Sequence, residues 1–576
     1  MSTAPQRVVE SPQWFGPSEH RLFGWVTWPS AAPVRGGVLL APPIGREARA
    51  ARRAFRQLAA SLADRGFASL RFDYDGTGDS SGTFDDPGHD VAWTESVQHA
   101  AAYLRSLGVS SVAAVGMRLG ATIVGTAAGS RDLGLTSLVL WDPCETGRSY
   151  LRELGALESL RRSNFTADQD GGVETAEFVF TPEAAGELRR LSLSAAATTA
   201  LAERVLVISR DDRAVSEKLR RRLADEKVDW ETTSEQPALV NVEPLKAAMP
   251  LATMRSIVTW IASQPTEPQA FDAPGPAGPA VMRLRGVANP VAERFVVLGP
   301  RELFGIVTEP VGDAHGPLIA MFNVSNEEHT GPSRLWVELS RRWAGLGLRC
   351  VRFDLTGLGD SPRVARRSDG SMYDQAWLED LPEVARLLHP EDPSDTVFVG
   401  LCSGAYLAAE AGLELHARGV CAINPPIGVD FLSGIARLER SRHAWVRTLA
   451  VQLKEVALRL RWVSIVIWHV ARVIMPSVFS HDLMSMLVDN GTDLLVLSSS
   501  ENLSPYPQVP QLDKFFSARL VAPSNYEVAF VPGLDHSMHA AVGRDRAVAL
   551  LDAHVQERYA GISPRTDAQS GTKEGS

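Results

Sequence analysis

Close cysteine pairs are missing from this chain. Cys144, Cys350, Cys402 and Cys421 are its four cysteines in 576 residues, and no two stand in a C-x-x-C spacing. Neither a disulfide framework nor a thiolate zinc site is indicated, and unpaired thiols suit a reducing compartment, so a cytoplasmic location is expected. Positive charge is also short: 58 Lys and Arg against 68 Asp and Glu give a formal charge of −10. No basic cluster stands out, which argues against a nucleic-acid partner. The opening Met1-Ser2-Thr3-Ala4-Pro5-Gln6-Arg7 lacks the apolar core of a secretory signal. The apolar stretch at 462–475 contains His469 and Arg472 and stops at Pro476, short of the roughly 20 residues that span a bilayer. It reads as a lid or packing helix, with weak contact to a membrane surface as the alternative. No metal ligands and no cofactor are expected.

What is present is a globular composition, 45% hydrophobic and 22% charged, in a chain long enough for two large domains. The chain also repeats itself at the length of a whole domain. Leu22-Phe23-Gly24-Trp25-Val26-Thr27 recurs as Leu303-Phe304-Gly305-Ile306-Val307-Thr308, each at an opening β-hairpin. Arg71-Phe72-Asp73-Tyr74-Asp75-Gly76-Thr77-Gly78-Asp79-Ser80 recurs as Arg352-Phe353-Asp354-Leu355-Thr356-Gly357-Leu358-Gly359-Asp360-Ser361. Two apolar runs then lead into glycine-bounded turns followed by small residues: Gly116-Met117-Arg118-Leu119-Gly120 and Gly400-Leu401-Cys402-Ser403-Gly404. Each reads as strand, sharp turn, helix. Strands alternating with helices predict a mostly parallel sheet covered on both faces, with sites at the carboxyl ends of the strands. The predicted domains are 1–262 and 286–560, joined by a Pro, Ala and Gly linker at 263–285. A helical cap is expected at about 430–490 in the second domain and a disordered tail at 561–576.

The order of hairpin, Asp-x-x-Gly-x-Gly-Asp-Ser turn and glycine-bounded elbow resembles the α/β-hydrolase superfamily in both halves. Arg71-Phe72-Asp73-Tyr74 and Leu140-Trp141-Asp142-Pro143 make the first half similar to exosortase-associated and serine aminopeptidase-like hydrolases. Gly400-Leu401-Cys402 makes the second similar to relatives with cysteine at the elbow. The resemblance implies two tandem α/β-hydrolase domains, the second carrying a nucleophile, an acid and a histidine in that chain order.

Cys402 takes the position of the nucleophile. His536, in Pro532-Gly533-Leu534-Asp535-His536, matches the base, with His539 as the alternative. Glu501 sits where the resemblance puts the acid, with Asp535 as fallback. Oxyanion donors are implied at Ser403 and at Val324, although Phe322-Asn323 replaces the familiar His-Gly there. His329, in the same loop, either reaches the substrate pocket or serves as a cap. A thiol beside a histidine and above a helix N-terminus has its pKa lowered by up to several units, so a thiolate–imidazolium pair and a thioester intermediate follow. Dienelactone hydrolases of the same superfamily also use cysteine. Hydrolysis of an ester or thioester with an apolar acyl group is the leading expectation, acyl transfer to another acceptor the second, and a non-catalytic ligand-binding protein the third. In the first half Arg118 stands at the elbow, and no histidine occurs in 213–262. A triad is impossible there. An Arg118–Asp212 ion pair filling the old site is expected, with binding of an anionic group by Arg118 as the alternative. Cys350 and Cys421 read as inert small hydrophobes.

Overall fold

The computed structural model describes residues 8–30, 33–161, 173–175, 179–195, 199–322, 327–362, 375–425, 483–499 and 524–561. The chain divides into two units, Met1–Arg285 and Gly286–Ser576.

The first unit is built on an eight-stranded sheet. Its strands are β1 (Val8–Phe15), β2 (Leu22–Pro29), β3 (Gly36–Ala41), β4 (Phe67–Phe72), β5 (Val112–Met117), β6 (Leu135–Trp141), β7 (Val205–Arg210) and β8 (Val228–Thr233). They lie in the order β1-β2-β4-β3-β5-β6-β7-β8. β1 and β2 form the antiparallel hairpin and β2 meets β4 antiparallel, whereas the ladders from β4 to β8 are parallel.

In the second unit the corresponding strands are β9 (Val291–Leu298), β10 (Leu303–Pro310), β11 (Leu318–Phe322), β12 (Arg349–Phe353), β13 (Thr396–Leu401), β14 (Gly419–Ile423), β15 (Asp493–Ser499) and β16 (Tyr526–Val531). Their order, β9-β10-β12-β11-β13-β14-β15-β16, is that of the first sheet, with the same antiparallel start and parallel remainder.

The central strands read as continuous apolar runs because both of their faces are buried. Along β11, Leu318, Ala320 and Phe322 enter one core while Ile319 and Met321 enter the other, the two-residue period of a strand. Cys350 and Cys421 lie fully buried on β12 and β14, and burial pushes both thiols well above the ordinary range.

The recurrent Asp turn has the same wiring in each unit. Asp73 accepts from the N–H of Asp79 at 3.0 Å, and Asp354 from that of Asp360 at 2.8 Å. Ser80 donates to the carbonyl of Asp73 and accepts from the N–H of Phe23; Ser361 does the same with Asp354 and Phe304. This turn fastens the hairpin to the sheet. The Pro-rich stretch expected as a linker is pinned along the first unit: Val34 and Gln269 exchange backbone hydrogen bonds, and Asp272 N–H donates to Leu107. Of the cap expected at about 430–490, residues 483–490 are described and include the helix Leu483–Asp489; the rest of it, the apolar stretch at 462–475 and the tail from 562 onward lie outside the described residues. Among the described residues, no helix is long and apolar enough to cross a membrane.

Candidate active site

β13 ends at Leu401 and the helix Ser403–Leu415 starts two residues later, leaving Cys402 alone at the turn. Its φ of 54° and ψ of −119° are strained for a residue with a Cβ. The strain is held by the neighbouring strand, where the Ile423 carbonyl accepts the Cys402 N–H at 2.9 Å. It is also held by close packing: a Cβ on Gly400 would stand 2.2 Å from the Gly404 carbonyl oxygen, so only glycine fits. The result is a half-buried thiol above a helix N-terminus.

Over this thiol comes the loop that follows β16. His536 Nε2 lies 3.0 Å from Cys402 Sγ, although 134 residues separate the two in sequence. His536, expected as the base, is therefore in contact with the thiol. Asp535 accepts the N–H groups of Ser537, His539 and Ala540, so its carboxylate caps the turn leading into the helix Ala541–Arg558. Ser403 is buried as the first residue of its helix. Glu501 and Val324 lie outside the described residues. His329 is fully buried, with Nδ1 2.9 Å from Asp354 Oδ2 and its N–H donating to Asp354 Oδ1 at 2.7 Å. It pins its loop to the Asp turn.

The first unit repeats the elbow with a different side chain. Arg118 has φ 54° and ψ −122°, its N–H donates to the Trp141 carbonyl, and the helix Leu119–Ser130 begins at the next residue. The expected Arg118–Asp212 pair does not form. Asp212 is exposed and bidentate with Arg210, at 2.8 and 2.7 Å. Arg118 instead meets Glu47 at 3.0 Å, Asp142 at 3.4 Å and Glu153 at 2.9 Å. Asp212 stands beyond its strand end in solvent, whereas these three carboxylates surround the elbow, from a strand end and two helices. A buried guanidinium takes the partners that share its burial. Three carboxylates thus surround the cation. Burial raises the Glu47 carboxyl and brings Asp142 to about 6, while Arg118 and Arg213 hold Glu153 below its ordinary value despite burial.

A strained elbow between a central parallel strand and a helix, with a histidine brought over it from beyond the last strand, decides the architecture. The fold is that of the alpha/beta hydrolases. Residues 314–553 match the alpha/beta hydrolase family. No curated protein matches the chain. Among solved structures, the chain is similar to Est1E from Butyrivibrio proteoclasticus with bound ferulic acid, at 16% identity over 43% of this chain and 98% of that one, TM-score 0.33. It is also similar to an alpha-beta serine hydrolase homologue from Coxiella burnetii, at 14% identity over 45% of this chain and 96% of that one, TM-score 0.28. A third is alpha/beta hydrolase domain-containing protein 10 from mouse, at 16% identity over 44% of this chain and 97% of that one, TM-score 0.30.

Two features around the elbows are not legible in the sequence. One is the set of carboxylates around Arg118, contributed by three separate elements. The other is Asn424, just past β14, whose side chain reaches the loop carrying His536. A lone Asn before Pro425 carries no signal of that reach.

Proposed function

We propose that the second unit is an acyl hydrolase that cleaves an ester or thioester through a covalent acyl-cysteine at Cys402. The observation that carries this reading is the 3.0 Å approach of His536 Nε2 to Cys402 Sγ at a strained elbow. The family match over 314–553 supports the reaction class. In the first step the Sγ proton passes to Nε2 and the thiolate attacks the substrate carbonyl carbon, whose π electrons move onto oxygen. The backbone N–H of Ser403 and a second donor from the loop after β11, assigned to Val324, stabilise that oxyanion. Collapse expels the alkoxide or thiolate, which takes the proton from the imidazolium. Water then gives a proton to Nε2 as its oxygen adds to the thioester carbon; collapse breaks the C–S bond, releases the acid, and the expelled Cys402 thiolate takes the proton back from the imidazolium. Glu501 is assigned the orientation of His536. The first unit, in this reading, is a duplicated copy that lost its nucleophile and histidine, with its site filled by Arg118 and three carboxylates. Matching strand order, elbow dihedrals and Asp-turn wiring support the duplication.

The test is intact-protein mass spectrometry after exposure to p-nitrophenyl esters and acyl thioesters, on wild type, Cys402→Ala and Ser403→Ala. An acyl adduct or turnover is expected in wild type and in Ser403→Ala, which keeps its backbone donor, and not in Cys402→Ala. Product formed on an added amine or thiol in preference to water would make the protein an acyltransferase. Absence of adduct and turnover in folded wild type would move the second unit to a non-catalytic binding role.

A further inference from the structure

β14 ends at Ile423, and Asn424 turns with φ 45°, a left-handed conformation in which Asn is enriched among non-glycine residues. Its N–H donates to the Leu497 carbonyl on β15 at 2.7 Å. The carboxamide is buried and used at both ends. Oδ1 accepts the Ser499 N–H at 2.8 Å, and Nδ2 donates to the carbonyls of Asp535 at 2.9 Å and His536 at 3.1 Å. One side chain thus ties the ends of β14 and β15 to the loop that carries His536. The Cys402 N–H is held by Ile423, the residue just before Asn424. Thiol and imidazole are therefore both referenced to one strand end.

The first unit shows the same backbone with other chemistry. Asp142 follows β6 with φ 44°, and its N–H donates to Ile208 at 2.7 Å, as that of Asn424 does to Leu497. Its carboxylate faces Arg118. Elbow and neighbour differ together: Cys with Asn, Arg with Asp. A carboxylate has no N–H to give to two carbonyl oxygens, so Asp at this position pairs with the elbow cation and Asn holds a histidine loop.

We infer that Asn424 is a positioning residue that sets the approach of His536 to Cys402 and thereby the reactivity of the thiol. This rests on the reading of Cys402 and His536 as the reacting pair. The experiment is the pH dependence of iodoacetamide alkylation at Cys402, read by peptide mass spectrometry on the full-length protein. Wild type is compared with His536→Ala, Asn424→Asp and Asn424→Gly, with thermal melts alongside. Glycine accepts the positive φ without strain, so that variant deletes the clamp and leaves the backbone at ease. Wild type is expected to alkylate with an apparent pKa below the roughly 8.5 of a free thiol. His536→Ala should raise it, and both Asn424 variants should raise it as well, slowing alkylation about tenfold near neutral pH, the equivalent of one pKa unit. A shift in His536→Ala with a wild-type profile in both Asn424 variants, whatever their melting temperatures, would overturn the role of Asn424 and leave the pair intact. An unshifted profile in His536→Ala would overturn the pair and this inference with it.

Discussion

Arg118 and Cys402 occupy corresponding turns, at φ 54° in both cases, and the side chain alone separates a buried cation from a half-buried thiol. Arg118 is the buried cation that Glu47, Asp142 and Glu153 share. Replacing Arg118 by Ala leaves Glu47 and Asp142 buried without it, and breaking a buried pair in this way costs about 3–5 kcal/mol. Thermal unfolding should reveal this loss, while alkylation of Cys402 should keep its wild-type pH profile. The Asp142 carboxyl supplies a pH dependence of its own. Burial raises it from 3.8 to about 6, so between those values the folded state keeps a proton that the unfolded state has released. Its contribution to stability is present below pH 3.8 and is lost as pH rises through about 6. Relative to wild type, Asp142→Asn should flatten the decline in denaturant midpoint across that window; an unchanged slope would remove Asp142 as its source.

At the scale of elements, the elbows were the most readable feature, because strand, turn and helix are contiguous in sequence and glycine marks where the backbones touch. Gly400 shows the reason. Its missing Cβ is what lets the helix Ser403–Leu415 start directly against β13. Gly400→Ala should therefore destabilise the fold and slow Cys402 alkylation near neutral pH toward the rate of a free thiol. Gly155→Ala, in the helix Gly147–Arg161 with nothing within 4 Å of the added carbon, should leave the melting temperature unchanged or higher by the equivalent of roughly 0.5–1 kcal/mol. The Asp turns were equally legible as a repeat, but their purpose was not. That Asp354 caps its own turn and also binds His329 depends on a loop 25 residues away. Of the two roles expected for His329, the contacts with Asp354 are those of a structural pin.

Across the whole molecule, each unit also holds an ion network that no local pattern announces, buried in the second unit and partly exposed in the first. In the second unit Glu293 accepts from Arg352 at 2.9 Å, from Arg341 at 3.1 and 2.9 Å and from Thr308 at 3.0 Å. In the first, Glu10 meets Arg56 at 2.8 Å, Arg71 at 3.5 Å and Thr27 at 3.3 Å, nearer to solvent. Despite complete burial, Arg341 and Arg352 hold the Glu293 carboxyl at about 2. Its contribution is therefore present above pH 4.5, the ordinary value, and is lost as pH falls toward about 2. Glu293→Gln, which strands two buried guanidinium groups, should cost about 3–5 kcal/mol at neutral pH, and Glu10→Gln less. Equal losses in chemical denaturation would contradict the assignment of that difference to burial. Legible in the sequence alone were the repeated order of motifs along the chain, the two elbows, the missing histidine of the first unit and the candidacy of Cys402 and His536, because apolar period, glycine spacing and residue chemistry are local properties. Tertiary structure alone decided that His536 reaches the thiol, that Asp142 rather than Asp212 answers Arg118, and that Asn424 joins three chain segments. Partners of that kind are chosen by which strand ends the sheet brings side by side, and the sheet order does not follow the order of the chain.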